Sequence, residues 1–533
     1  MTSPQGRLRP HAPQTRRVTD LAAAFGLAAP HGVPDGTAVS GVTVSSSDTL
    51  PGDLFVAVQG LTVHGAAYAG QAVEHGAVAV LTDAAGARRL EGEGLAARTV
   101  LLVADDPRGL AGPVAAWVHG DPARSLVTVG VTGTNGKTTT SWFVDAALRA
   151  VHPVTAVLGT VELRIGEEAV ESPRTTVEAP VLQAILARAV EAGAGALTTE
   201  VSSHALALGR VDGLRVDVAA FTNLQRDHLD FHGDMEGYYA AKARLFTPEL
   251  ARRGVVVVDD AWGRRLAEEA PIPVWTVATH AGAPECHGAD WAVRSAEIGL
   301  DGVGSSFVLR GPDGREHAAA SPLPGLVNVS NAALAVVTAH AAGVPLATAI
   351  SAVAAAGAVP GRMERVVERG DGLPLCLVDY AHTPDALTLA LEAVRPITPG
   401  RLLLVLGSDG DRDRGKRPLM GEIAARGADV VVVTDENPRS EDPATIRAAI
   451  LEGVAAVRPD GRDVHEATDR RQALLDAVAM ADEADTVLVT GKGHEPTQEI
   501  AGVFHRYNDR DVYLEALARH RAAAGSAGAG RRA

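Results

Sequence analysis

Short apolar runs, mostly β-branched, recur along the chain. Each is followed by glycine or polar residues and usually then by an alanine-rich stretch: Leu126–Val131, Val255–Val258, Leu402–Leu406, Val430–Val433 and Val487–Val489. A strand that is apolar at every position is covered on both faces. Strands of that kind alternating with helices predict parallel sheets of the α/β class. Ligands of such sheets sit beyond the carboxyl ends of the strands, so the residues just after each run are where chemistry is expected. Three regions follow. Residues 18–124 form a small α/β region with PGDLFVAVQG. Residues 125–361 form the largest, opening with a strand and a glycine-rich loop and leaving at the turn Val359-Pro360-Gly361. Residues 362–520 repeat strand–loop–helix units. The basic, proline-rich residues 1–17 and the low-complexity residues 521–533 read as loose tails.

Composition narrows the function classes. The 533 residues suit several domains, and 46% hydrophobic with 21% charged residues excludes a long disordered chain. No run reaches the roughly 18 apolar residues of a membrane helix. Lys and Arg total 49 against 65 Asp and Glu, a formal charge of −16, which argues against nucleic acid as a partner. Anionic ligands must then be met by local devices. Two cysteines, Cys286 and Cys376, suggest neither a metal cluster nor a disulfide scaffold and fit a reducing cytoplasm.

One such device follows the run Leu126–Val131: Thr132-Gly133-Thr134-Asn135-Gly136-Lys137-Thr138-Thr139-Thr140, then the helical SWFVDAALRAV. Small residues let backbone N–H groups approach phosphate, and the helix start favours an anion. Lys137 suits the β/γ-phosphates of ATP, and the Thr138 hydroxyl suits Mg²⁺. Val131 stands where the common P-loop has its first glycine.

The form GTNGKTT resembles the loop of the Mur ligases, ATP-dependent amino-acid-adding enzymes of peptidoglycan synthesis. Glu200-Val201-Ser202-Ser203-His204, Thr222-Asn223-Leu224, Arg226-Asp227-His228-Leu229-Asp230 and Ala241-Lys242 are similar to the family's central domain. Residues 359–364, 379–385 and Gly491-Lys492-Gly493-His494-Glu495 are similar to the branch that attaches the third residue of the stem peptide. The resemblance implies three domains: UDP-substrate-binding, P-loop ATPase-like and Rossmann-like. It also implies a carboxylate activated by ATP as an acyl phosphate and then attacked by an amine. Both steps bring anions together, so cations and positioning are required.

Residue chemistry leaves three positions open. Glu200, after Leu197–Thr199, suits Mg²⁺, with a cap or a surface carboxylate as the lesser alternative. His228 by itself reads as a structural histidine, because Mg²⁺ prefers oxygen. Lys242, in the helical YYAAKARLF, reads as a surface lysine. The resemblance implies instead that His228 binds a second metal ion and that Lys242 is N-carbamylated, a change that needs the neutral amine.

The substrate ends are read the same way. SSSDTLPGDLFVAVQG resembles the uridine-diphosphate segment, with Ser46 as the contact serine and residues 61–63 along the uracil. Thr175, Thr176, Ser202 and Arg210 match residues that hold the muramoyl-dipeptide, and Leu208 stands where some relatives have glutamine. Asn328, Asn331, Arg362, Asp379 and His382 match nucleotide contacts. The bland alternatives are helix capping for the asparagines and turn chemistry for DYAHTPD. For the incoming amino acid the resemblance implies a meso-diaminopimelate pocket of Arg412, Glu436, Asn437, Pro438, Arg439, Gly491 and Glu495. Arg439 is the fork for the second carboxylate, which lysine lacks. Arg412 adds a carboxylate contact, and Glu495 with the Gly491 carbonyl takes the distal ammonium. Glu436 replaces the usual aspartate, and Ser408-Asp409 replaces Cys-Gly; both departures bear on the amine side and leave the two arginines intact.

The chain is therefore expected to be a cytoplasmic, monomeric ligase. It would add meso-diaminopimelate to UDP-N-acetylmuramoyl-L-alanyl-D-glutamate, using ATP and Mg²⁺, with small molecules as its only partners. The alternatives are lysine addition, a folate-type polyglutamate ligase, or a non-catalytic nucleotide-binding relative.

Overall fold

The five apolar runs are strands of largely parallel sheets, at Val127–Thr132, Ala251–Val257, Leu402–Leu406, Val430–Val433 and Thr486–Val489. The computed structural model describes residues 8–60, 62–299 and 304–530. Leu61 of the expected uracil segment, residues 1–7 and 531–533 of the expected tails, and the side chain of Cys286 lie outside the described residues. The chain forms two units. One holds the described residues up to Thr279 with Pro284–Ala292 and Ala333–Ala352; the other holds His280–Ala283, Val293–Ala332 and the chain from Val353 onward. The regions 18–124 and most of 125–361 thus share the first unit, each with its own sheet.

In the first unit a four-stranded parallel sheet runs in the order Gly41–Thr43, Asp53–Ala57, Ala79–Thr82, Val100–Val103. Alternate residues feed opposite faces. Leu54, Val56 and Leu81 join Val114 and Val118 on one side, and Phe55, Val80 and Leu101 join Leu90 on the other. In the larger sheet Val127–Thr132 lies between Ala196–Glu200 and Val216–Phe221, both parallel to it. The chain leaves this strand towards Thr155–Leu158 on one side and later returns to add Val216–Phe221 on the other. That makes a switch point, where a crevice opens at the strand ends. The two parts of this unit touch at a pair of glycines. A Cβ on Gly112 would lie 1.8 Å from Asp212 O, and one on Gly213, whose φ is +84°, 2.6 Å from the Gly112 carbonyl carbon.

The expected N-terminal tail is not loose from Leu8 onward. Leu8 is fully buried, and Arg9 Nη1 donates to both Asp53 carboxylate oxygens at 2.8 Å. The N–H groups of His11 and Ala12 donate to Glu191 at 2.9 and 2.8 Å, and Arg16–Arg17 pairs with Ala38–Val39. The buried Asp53 carboxylate needs a cation, and the segment supplies it. At the other end the helix Asp509–Gly530 runs through most of the segment expected to be irregular, as its alanines favour.

The second unit carries a six-stranded sheet ordered Glu364–Val367, Leu375–Val378, Thr486–Val489, Leu402–Leu406, Val430–Val433, Val464–Glu466. Only the first strand is antiparallel to its neighbour, and apolar clusters cover both faces. The Arg470–Asp509 ion pair is wholly buried there. Arg470 Nε and Nη2 donate to the carboxylate at 2.9 and 2.8 Å, and Nη2 also donates to Thr490 O at 2.8 Å. This bond holds the strand end that leads into Gly491–Glu495. Among the described residues no helix is long and apolar enough to cross a membrane.

Asp509→Ala would leave Arg470 charged and unpaired in the core. We expect a loss of about 3–5 kcal/mol, read as a lower denaturant midpoint. Glu515→Ala, at a part-exposed pair with Arg471, should cost about 1 kcal/mol or less. Equal effects of the two substitutions would contradict the role given to the buried pair.

Candidate active site

The Val127–Thr132 strand delivers the phosphate loop, and the neighbouring strand end fastens it. Gly133 and Gly136 have φ of +142° and +87°, and a Cβ on Gly133 would lie 1.8 Å from Thr222 Oγ1. Thr222 Oγ1 donates to Asn135 O at 2.6 Å, Asn135 N donates to Asn223 Oδ1 at 3.0 Å, and Thr134 N donates to Asn223 O at 2.9 Å. The motif Thr222-Asn223 is thus a brace for the loop. The helix Lys137–Arg149 starts with Gly136 at its N-cap and no side-chain cap, the arrangement that suits an anion. Lys137 Nζ arches over the loop, donating to Gly133 O at 3.1 Å and Thr134 O at 2.8 Å.

Glu200 ends the Ala196–Glu200 strand and is 1% exposed, which removes the surface reading, and the helix that follows is capped by Ser202. Its carboxylate accepts from Thr138 Oγ1 at 3.0 Å, from Thr160 N at 2.8 Å and from Thr160 Oγ1 at 3.0 Å. Thr160 Oγ1 also lies 3.1 Å from Thr175 Oγ1, whose hydroxyl can donate to it, and Thr176 Oγ1 donates to Glu200 O at 2.9 Å. Ser202 N donates to Thr176 Oγ1 at 3.0 Å, and Ser202 Oγ caps the following helix through Ala205 N at 3.2 Å. Thr138, Thr175, Thr176 and Ser202 therefore converge on Glu200. Thr160 was not anticipated; its place just after the strand Thr155–Leu158 was the available signal. Arg210 pairs with Glu178 at 3.0 Å. Ser46, in the small-sheet region, donates to Gln71 Oε1 at 2.7 Å.

Lys242 is 1% exposed, so the surface reading fails. Nζ donates to Gly133 O at 2.7 Å and lies 4.7 Å from the centre of the Tyr238 ring. Burial first, then the Lys137 charge, pushes its pKa well below that of a free lysine, against the pull of Asp227. His228 has φ of +53°, a ring nitrogen 3.4 Å from Asp227 Oδ2 and an edge contact with His204, centroids 4.8 Å apart. Desolvation holds its imidazole below the ordinary value, Asp227 opposing and His204 adding to the effect. Among the described residues no three His, Cys, Asp or Glu side chains form a ready metal cage. The buried Glu200 carboxylate against the Thr138 hydroxyl is nonetheless a hard-oxygen donor set of the kind that fits Mg²⁺.

In the second unit three loops gather at one sheet end, after Leu402–Leu406, Val430–Val433 and Thr486–Val489. Gly491, with φ of +108°, packs so closely that a Cβ there would lie 2.2 Å from Glu436 Oε2. Gly410 N donates to Asn437 O at 2.8 Å, and Glu441 N to Pro438 O at 3.0 Å. Arg439 has φ of +52°, and its Nη2 donates to Asp409 Oδ2 at 3.1 Å. Arg412 is exposed on the first of these loops. Lys492 is fully buried and donates to Asn437 Oδ1 at 2.8 Å, Glu495 Oε2 at 3.0 Å and Thr497 O at 2.7 Å. Its motif was visible in the sequence, but its role as the tie between the second and third loops was not.

The expected nucleotide contacts Asn328, Asn331, Arg362, Asp379 and His382 lie in the second unit, the phosphate loop in the first. Asp379 accepts from Met363 N at 2.8 Å and Ala381 N at 2.9 Å. Burial raises its pKa and Arg362 opposes. The Arg362 guanidinium lies 4.2 Å from the Tyr380 ring centre, and His382 Nδ1 lies 2.9 Å from Tyr380 O. Asn328 Nδ2 donates to Pro324 O at 2.8 Å, the reverse of an N-cap, where the side chain accepts. Asn331 Nδ2 donates to Asn328 Oδ1 at 3.2 Å.

Three family models match the chain: "Mur ligase middle domain" over residues 131–339, "Mur ligase, glutamate ligase domain" over 361–493, and "Mur ligase family, catalytic domain" over 38–115. The UDP-N-acetylmuramoyl-L-alanyl-D-glutamate–2,6-diaminopimelate ligase of Streptomyces coelicolor is 48% identical, over 97% of this chain and 99% of its own. A solved structure of a ligase with that same name is 33% identical with a TM-score of 0.62, covering 91% of this chain and 95% of its own. The MurF ligase of Thermotoga maritima in complex with ADP shares the fold at 18% identity, with a TM-score of 0.59 and coverage of 92% and 99%.

Glu436 yields a test of the sheet-end geometry. It is 2% exposed, and its Oε2 has no hydrogen-bond partner. Burial first, and then the negative Asp409, raise its pKa from 4.5 to about 8. The folded chain therefore keeps a proton that the unfolded chain releases. The stability this contributes is full below about pH 4.5 and is lost as the pH rises through about 8. In Glu436→Gln that share of the decline should vanish, so Tm should fall less than in wild type across this window. Parallel Tm–pH curves would contradict the burial.

Proposed function

The chain belongs to the Mur ligase family, and on that premise we propose that it is the ATP-dependent ligase joining meso-2,6-diaminopimelate to the D-glutamate γ-carboxylate of UDP-N-acetylmuramoyl-L-alanyl-D-glutamate. ADP and phosphate are the other products. It acts in peptidoglycan precursor synthesis, as a cytoplasmic monomer. The observation that carries the choice of amino acid is Arg439, a part-buried guanidinium paired with Asp409 at the sheet end where Asn437 is joined to Glu495. A planar fork there suits a second carboxylate.

The residues divide the chemistry as follows. The acid's carboxylate attacks the γ-phosphorus of ATP, and ADP leaves. The amine then attacks the acyl phosphate through a tetrahedral centre, and phosphate leaves. Gly133, Thr134, Asn135, Gly136, Thr138 and Thr139 cradle the phosphates. Lys137 exchanges its two carbonyl partners for phosphate oxygens, keeping a fixed positive charge at the transferring group. Asn328, Asn331, Arg362, Asp379 and His382 contact the nucleotide. Thr175, Thr176, Ser202 and Arg210 orient the dipeptide end, and Ser46 the uridine-diphosphate end. Thr138, Glu200, His228 and a carbamate on Lys242 would hold Mg²⁺, which when bound neutralises charge between the reacting anions. Burial favours the neutral Lys242 amine, which can attack CO₂ through nitrogen; loss of a proton leaves the carbamate. At the amine end, Arg412, Glu436, Asn437, Pro438, Arg439, Gly491 and Glu495 line the amino-acid pocket.

Two measurements test this. Wild-type kcat/KM should favour meso-diaminopimelate over L-lysine by about 10⁴-fold, as polar sites reject analogues that leave them unpaired. Arg439→Ala should lose most of that preference with little change in the KM for ATP. Comparable wild-type values for the two amino acids would refute the named product. Separately, with ¹³C-bicarbonate the wild-type protein should show a carbamate carbon resonance that is absent in Lys242→Ala, a nearly inactive variant. An identical spectrum in both would sink the carbamate.

A further inference from the structure

Acidic side chains crowd the amino-acid end of the second unit, and their existing partners decide what each can still offer a ligand. Glu495 Oε2 already accepts from the Lys492 ammonium at 3.0 Å and from Asn437 Nδ2 at 3.0 Å. Its charge is matched by a fully buried cation. Glu499 lies 3.9 Å from Arg439 Nε, beyond hydrogen-bond reach. Asp409 differs from both. Its Oδ2 accepts from Arg439 Nη2 at 3.1 Å, while its Oδ1 is buried with no hydrogen-bond partner. Arg439 Nε is likewise buried without one. The side chains are 18% and 26% exposed, so water screens the pair only in part.

A buried charged oxygen without a donor is costly unless a ligand supplies one. Here an acceptor without a donor and a donor without an acceptor belong to one ion pair. The complementary group is a zwitterionic α-amino acid centre, with carboxylate and ammonium on the same carbon. The distal end of diaminopimelate is such a centre; the distal end of lysine carries the ammonium alone. We infer that Asp409 is a specificity-determining residue for the incoming amino acid, its Oδ1 accepting from the distal ammonium while Arg439 donates to the adjacent carboxylate. This rests on the ligase reading above. It adds to Glu495, whose Oε2 already accepts from Lys492 and Asn437, a second acceptor for the distal ammonium outside the motifs that marked the pocket.

The test compares meso-diaminopimelate with 2-aminopimelate, which keeps the distal carboxylate and lacks the distal amine. The purified full chain is assayed as wild type, Asp409→Asn and Asp409→Ser, with kcat/KM for each amino acid and KM for ATP. Wild type should prefer diaminopimelate. Both variants should lose about 10- to 100-fold on diaminopimelate, the worth of a hydrogen bond to a charged group. They should change little on 2-aminopimelate and on ATP, so the preference collapses. A preserved ratio overturns the inference, as does an equal loss on both amino acids, which would mark a structural role. Faster use of diaminopimelate by the variants overturns it too, since Asp409 would then merely compete for Arg439. Wild type that turns over neither amino acid would overturn the ligase reading itself. Wild type that uses diaminopimelate, with variants that keep the ratio, would sink the assignment of Asp409 alone.

Discussion

A charge taken out of water has to be matched by an opposite charge, by hydrogen bonds, or by losing its proton. Both units are organised by how they meet that demand. Asp53 meets it with Arg9, and so draws the start of the chain onto the small sheet. Arg470 meets it with Asp509, fixing a strand end. Lys492 meets it with Asn437, Glu495 and Thr497, joining two loops. Lys242 has a single carbonyl contact and the face of Tyr238. Burial and the Lys137 charge favour its neutral amine, the form that the proposed carbamate requires.

Parallel sheets explain why these charges gather where they do. Strands covered on both faces leave little room for charged side chains in their middle, so these gather at the strand ends. Glu200 closes the strand that begins at Ala196, and Asp379 follows Leu375–Val378. The glycine-rich loop after Val127–Thr132 and the three loops of the second unit occupy equivalent places in two different sheets. In both, a glycine permits an approach that a Cβ would block, Gly133 against Thr222 and Gly491 against Glu436.

The ion pair between Arg439 and Asp409 changes the meaning of a sequence departure. Read as letters, Asp409 lies on the amine side and leaves the arginines untouched. In the fold its carboxylate meets the Arg439 guanidinium, the group proposed above to tell diaminopimelate from lysine. Glu436 feels the same carboxylate and holds its proton more tightly for it.

Local pattern and local spacing were enough for the strands, the glycine-rich turn, the helix after it and the grouping of three loops at one sheet end, because each depends on residues within a few positions of one another. The glycine-rich loop and Glu200 could be singled out on that basis, and Arg439 through the resemblance of its motif to the family's. What depends on distant partners was not legible. The chain from Leu8 to Arg17 looked like a tail because Asp53 and Glu191, which hold it, are far away in sequence. Without the family resemblance Lys242 looked like a surface residue, since helical periodicity carries no record of the loop that covers it. Lys492 and Asp409 had no visible role, for theirs exist only once three strands align their ends. Burial and charge pairing are properties of the assembled sheet, so tertiary structure alone decided which of the chemically able side chains are matched and which remain free to meet a substrate.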